Sequence, residues 1–220
     1  METDFLVSLL TIIGIDIILG GDNAIVVALA CRNLPKEIRN RAIVLGIALA
    51  LVIRMSLTVV AVQLLEIPFL LAISGALLVY IAYSLLSDQA DDRDIDGGTS
   101  LWSAIKAIII ADLVMGFDNV IAVAGAAHGD HLLVMIGLLV SVPIIIWGSK
   151  LILNVFDRFP IIVYFGAGIL AYTASRMITH EEMLAPLFSQ HPLFTLTFKL
   201  IIIAGVIVAG VIRIRFSKKN

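Results

Sequence analysis

Two stretches hold most of the side chains in this 220-residue chain that could do chemistry within an apolar setting. The first is Asp16-Ile17-Ile18-Leu19-Gly20-Gly21-Asp22-Asn23, and the second is Asp112-Leu113-Val114-Met115-Gly116-Phe117-Asp118-Asn119. Both carboxylates and the asparagine recur 96 positions further on, across apolar filler that differs, which marks an internal repeat. The donors are all oxygen: the carboxylates of Asp16, Asp22, Asp112 and Asp118, and the amide oxygens of Asn23 and Asn119. Hard ligands of this kind suit Mg²⁺, Ca²⁺ or Mn²⁺. The lack of thiolate or imidazole in the apolar runs argues against zinc and copper.

The elements that must position these groups are membrane helices. With 60% hydrophobic residues, 15% charged residues and a mean hydropathy of +1.08, the chain carries more apolar surface than one soluble core can hide. The expected fold class is an all-α membrane protein with seven transmembrane helices, near 5–31, 41–65, 68–87, 102–127, 132–155, 160–179 and 195–216. Four aspartates at mid-membrane cost about 2.5–3.5 kcal/mol each on the insertion scale, hence roughly 10–14 kcal/mol together. Carboxylates kept at that cost face an interior cavity, pair with a cation or carry protons. The bland alternative is that they cap half-helices.

The first and fourth runs are long, roughly 26 residues or about 39 Å as ideal helix against a hydrocarbon core of about 30 Å. Each has glycine near its middle, which suits a helix that breaks or tilts there. At 100° per residue Asp16 and Asn23 share a face, whereas Asp22 points about 120° away from Asp16. Closing both carboxylates on one ion therefore requires unwinding, expected at Gly20-Gly21 and at Gly116.

The repeat extends beyond the motif. Gln63 and Glu66 match Asn154 and Asp157 at an offset of 91, while Pro68 and Tyr80 match Pro160 and Tyr172 at an offset of 92. The unit is three spans, so the second copy enters the membrane from the opposite side, giving two inverted three-helix repeats plus one additional helix. The division is 1–87 for the first repeat, 88–100 for an acidic cytoplasmic linker, 101–180 for the second repeat, and 181–220 for the seventh helix and a basic tail. Arg32, Lys36, Arg39, Arg41, Arg93, Arg158 and the tail from Arg213 to Lys219 all fall on one side of that arrangement. The N-terminus is then outside and the C-terminus cytoplasmic. Glu2 and Asp4 stand where a signal peptide carries positive charge, so the first run is expected to stay in the mature protein. The single cysteine, Cys31, excludes an internal disulfide.

Other polar residues rank lower. Arg54 lies mid-span with Ile145 as its counterpart, so it stands outside the duplicated set, either paired with an aspartate or acting in gating. Glu66 and Asp157 end matching spans and read as solvated helix ends, with the mouths of a pathway as the alternative. His128, His131, His180 and His191 fall in connections and read as surface histidines.

At Asp16/Asp22/Asn23 and Asp112/Asp118/Asn119 the chain resembles the TerC family of integral membrane proteins, over nearly its whole length. The resemblance implies seven spans and association with manganese efflux, tellurium resistance or the supply of metal to exported proteins. It is similar, more widely, to the lysine-exporter-like carriers with two repeats. The second motif departs in having Gly116-Phe117 where the first has Gly20-Gly21.

The expected function is a cell-membrane divalent-cation exporter, for Mn²⁺ on the strength of the resemblance and with Ca²⁺ or Mg²⁺ also suited by the ligands. Its six-residue site lies at the repeat interface, and the two three-span bundles rock around it. Four carboxylates exceed one divalent cation by two charges, which raises proton-coupled antiport as a hypothesis. The partners are the lipid bilayer, the cation and protons; no nucleic acid and no resident cofactor are expected. Two alternatives come from other classes. One is a membrane partner that supplies metal to exported metalloproteins or steadies the secretion machinery. The other is an intramembrane aspartyl protease, for which two catalytic carboxylates explain neither the duplicated four nor the asparagines.

Overall fold

A computed structural model gives the architecture. It describes residues 2–65, 67–87, 97–126 and 131–217, and of these the backbone alone at 2–6, 8, 17–19, 59–65, 97–100, 118, 120–126, 131 and 217. Glu66, the acidic stretch 88–96, His128 and the side chains of Asp118 and His131 therefore lie outside the described residues.

All regular structure among the described residues is helical: α1 Glu2–Leu19, α2 Gly21–Cys31, α3 Lys36–Leu65, α4 Leu70–Ser87, α5 Gly97–Ala126, α6 His131–Arg158, α7 Ile162–His180, α8 Ala185–Gln190 and α9 Pro192–Ser217. Helices satisfy every backbone group within the segment, which long apolar runs in lipid require. Proline punctuates their starts. Pro35 precedes α3 and accepts the Ile38 and Arg39 N–H groups, and Pro192 opens α9, where no N–H partner is needed. α5 begins four residues earlier than the linker boundary drawn from the sequence. Asp94 and Asp96 precede it in the chain, and acidic residues suit a helix N-terminus.

Four helical stretches, 36–58, 70–87, 132–158 and 192–216, are long and apolar enough to cross a membrane. The segments Leu9–Asp16 and Gly21–Cys31, bent by 42°, make a fifth when taken together. The fourth and sixth runs of the sequence fall in α5, which Lys106, Asp112 and Asp118 interrupt, and in α7, which carries Arg176. Large apolar side chains such as Trp147, Ile161 and Leu193 stand exposed around the outside, as a multi-pass membrane protein requires.

The helices of the two halves interleave. α3 packs chiefly on α5, α1 and α2 on α6, and α4 on α7, while contacts within either half are sparse. Small residues allow the closest approaches. A Cβ on Gly75 of α4 would lie 2.7 Å from the Ala174 carbonyl oxygen of α7. Gly46 of α3 receives Ile108 of α5, and Gly137 of α6 receives Ile12 of α1. These last two contacts are one contact made twice: the glycines are 91 positions apart and the isoleucines 96. Each half thus buries much of its apolar surface against the other.

Candidate functional site

The first motif sits on a bend. α1 ends at Leu19, Gly20 takes φ −87° and ψ 0°, and α2 begins at Gly21. Hydrogen bonding continues through the bend: the Gly20 N–H donates to the Asp16 carbonyl at 2.6 Å, and the Ala24 N–H donates to the Gly20 carbonyl at 3.2 Å. A Cβ at position 20 would overlap the Asp16 carbonyl oxygen, so this close approach admits only glycine. The run is thus kinked over one residue rather than unwound. At Gly116 the expected break does not occur, and α5 is continuous from Gly97 to Ala126. A lone helical glycine costs only about 1 kcal/mol relative to alanine, which a packed helix absorbs.

The kink divides the side chains of the first motif. Asp22, at the start of α2, accepts a hydrogen bond from the Asn23 N–H at 3.0 Å and another from the Thr173 hydroxyl of α7 at 3.1 Å. Asp16 pairs with Arg54 of α3. The Arg54 Nη1 donates to Asp16 Oδ1 at 3.1 Å, its Nε donates to Asp112 Oδ2 at 3.2 Å, and its Nη2 donates to Asp112 Oδ1 at close range. The equivalent first carboxylates of the two motifs therefore meet on one guanidinium, which takes Asp112 with two parallel N–H groups. Asp16 is 1% exposed and Arg54 6% exposed, while Asp112 is half-buried with 15% of its side chain exposed.

Several polar atoms of the motifs are buried with no partner among the described residues: Asp16 Oδ2, both amide atoms of Asn23, and Asn119 Nδ2. Each such atom costs about 1–3 kcal/mol unless water or an ion satisfies it. Asn23, Arg54 and Asp112 line a cavity of ≈ 30 Å³, room for about two water molecules. Its remaining walls come largely from α3 and α6. Ile47 and Leu138, Ala50 and Ser141, Leu51 and Val142, and Arg54 and Ile145 all line it, each pair 91 positions apart.

The structure thus gathers Asp16, Asp112 and Asn23 about Arg54, buries Asn119, and turns Asp22 to Thr173. Asp118 belongs to α5, with its side chain outside the described residues. Among those residues no three His, Cys, Asp or Glu side chains stand close enough together to hold a metal ion. Asp16 and Asp112 are bridged by a cation that the chain itself supplies, Arg54. Sequence reasoning had one signal for this, a lone arginine amid an apolar run.

Elsewhere one ion pair and one carboxylate cap tie distant elements together. Arg39, at the start of α3, donates to Asp157, near the end of α6, at 2.5 Å, and also to the Leu34 and Arg32 carbonyls. Asp157 is therefore an ion-pair partner rather than a merely solvated helix end. Buried Glu181 accepts from the Phe69, Leu71 and Ala72 N–H groups at 3.0–3.2 Å and so caps α4, where Phe69 takes a φ of 62°. Nothing local in the sequence signals that role, because the donors lie 109–112 positions away. His180 and His191 are exposed, as expected.

Residues 1–220 match the integral membrane protein TerC family. The chain is 50% identical over 211 residues to the uncharacterized membrane protein YjbE of Bacillus subtilis, covering 96% of this chain and 97% of that one. It is 24% identical to the uncharacterized membrane protein YkoY of the same organism, over 92% of this chain and 70% of the relative. To the inner membrane protein YoaE of Escherichia coli it is 27% identical over 74% of this chain, but that stretch is only 35% of the relative. No solved structure matches. The chain belongs to the TerC family of integral membrane proteins.

Proposed function

We propose that this protein is a divalent-cation carrier that exports Mn²⁺ across the cell membrane. Its ion-handling residues are Asp16, Asp22, Asn23, Asp112, Asp118 and Asn119. One observation carries the reading: equivalent carboxylates from the two motifs meet at a buried cation, beside a small cavity and unpartnered amide atoms. A purely structural ion pair needs no unpartnered oxygens beside it, whereas a hard cation takes oxygen ligands, which Asp16 Oδ2 and Asn23 Oδ1 could supply. The membrane setting makes such atoms expensive, and transport is the use that fits them.

The seven-span inverted repeat belongs to this proposal, with the N-terminus outside and the C-terminus cytoplasmic. Its support is the duplicated glycine–isoleucine contact and the four cavity-lining pairs at a common offset, as expected of a cavity lying between two related repeats. Because the halves interleave, alternating access moves helices within a shared bundle rather than one half against the other. Arg54 supplies a positive charge to the carboxylate set when no ion is bound, so fewer protons are needed there for balance. An aspartyl protease is a poorer fit, because its two carboxylates must share a proton and here both accept from a guanidinium.

The test is cellular manganese in a strain lacking this protein. Wild type lowers manganese content and restores growth in excess Mn²⁺, while Asp16→Asn and Asp22→Asn at equal expression do neither. Full rescue by both variants would show that the carboxylates are structural.

A further inference from the structure

We propose that Arg54 is a tethered competitor of the transported cation: the guanidinium and a divalent ion take turns between Asp16 and Asp112, and the ion binds only by displacing the arginine. This rests on the carrier reading above.

The geometry carries the inference. Three nitrogens of Arg54 engage one oxygen of Asp16 and both of Asp112, so the guanidinium spans the position where an ion must lie to touch carboxylates from both motifs. A divalent cation there would share its ligands with a buried positive charge, and the two repel strongly where water is excluded. Simultaneous occupancy is therefore disfavoured. The displaced side chain has somewhere to go. Arg54 already lines the ≈ 30 Å³ cavity, and so does Asn23, whose amide oxygen is buried without a partner and can accept a guanidinium N–H. The counterpart position across the repeat is Ile145 on the same cavity, so only one half supplies this internal cation.

The arrangement sets affinity and turnover together. A built-in competitor weakens binding, which speeds release, and it neutralises the facing carboxylates whenever the ion has left. A purely structural Arg54 gives the opposite sign: removing it would disorder the carboxylates and weaken binding.

The experiment measures Mn²⁺ binding to the purified full-length protein in detergent by electron paramagnetic resonance. Arg54→Gln is expected to bind at least tenfold more tightly than wild type, and Arg54→Lys, which keeps the charge, to stay within a few-fold of wild type. Equal or weaker binding by Arg54→Gln, in a wild type that does bind, overturns the competitor role and leaves the carrier reading standing. Absence of binding in every form overturns both. A measurement on wild type alone guards against misfolding of the variant. The guanidinium vibrations, followed by infrared difference spectroscopy on protein carrying isotope-labelled arginine, should shift on adding Mn²⁺ as Arg54 exchanges its carboxylate partners for an amide, and unchanged bands contradict the exchange.

Discussion

At the scale of one residue, Asn23 carries a cost in stability that the carrier proposal would account for. Both its amide atoms are buried and unpartnered, and it borders the cavity beside Arg54 and Asp112. Replacing a buried unsatisfied polar group by an apolar one of similar shape removes a desolvation cost of about 1–3 kcal/mol. Asn23→Leu is thus expected to raise thermal stability in detergent by about that amount while reducing Mn²⁺ flux severely. A variant that is less stable, or that transports normally, would show that Asn23 has a structural partner after all. The duplicated aspartates and asparagines were legible in the sequence because polar groups in an apolar run announce their cost. What each one touches was not. That Asp22 meets Thr173, or that Glu181 caps α4, depends on partners more than 100 positions away.

Among the elements, the two motif-bearing runs differ although their sequences match. Tandem glycines at positions 20 and 21 let the first run kink, with Gly20 against the Asp16 carbonyl, whereas the second carries one glycine and remains a continuous helix. The kink was readable from Gly20-Gly21, and the continuity of α5 was hinted only by Phe117 in place of a second glycine. Helical content and the broad positions of the apolar runs were fully legible, since hydropathy over about 20 residues reports them directly. Short α8 was not, because its one buried side chain, Phe188, gains its place from rings at Phe194 and Phe198 of the next helix. The asymmetry gives a paired expectation. Gly20→Ala forces its Cβ onto backbone and should cost roughly 1–3 kcal/mol and abolish most flux. Gly116→Ala meets nothing within 4 Å and should keep flux while gaining up to about 1 kcal/mol from helix propensity. Thermal unfolding and flux on the same preparations check both, and equal effects of the two substitutions would mean the kink is unimportant.

Seen as a whole, the molecule is a single interleaved bundle in which each half completes the other's core and the two motifs converge on Arg54. The 91- and 96-residue offsets were visible in the sequence, but not that the two halves would pack through each other, because periodicity records similarity and not proximity. A convergent site requires both motifs at once, so loss of a carboxylate from either half should be equally damaging. The most direct measurement is Mn²⁺ flux through purified protein in liposomes, comparing wild type with Asp16→Asn and Asp112→Asn at equal incorporation. Saturable flux in wild type, cut by roughly tenfold or more in each variant as expected for loss of one charged ligand, is the predicted result. Flux that survives in either variant, or no flux in wild type, would contradict a shared cation site built from both halves.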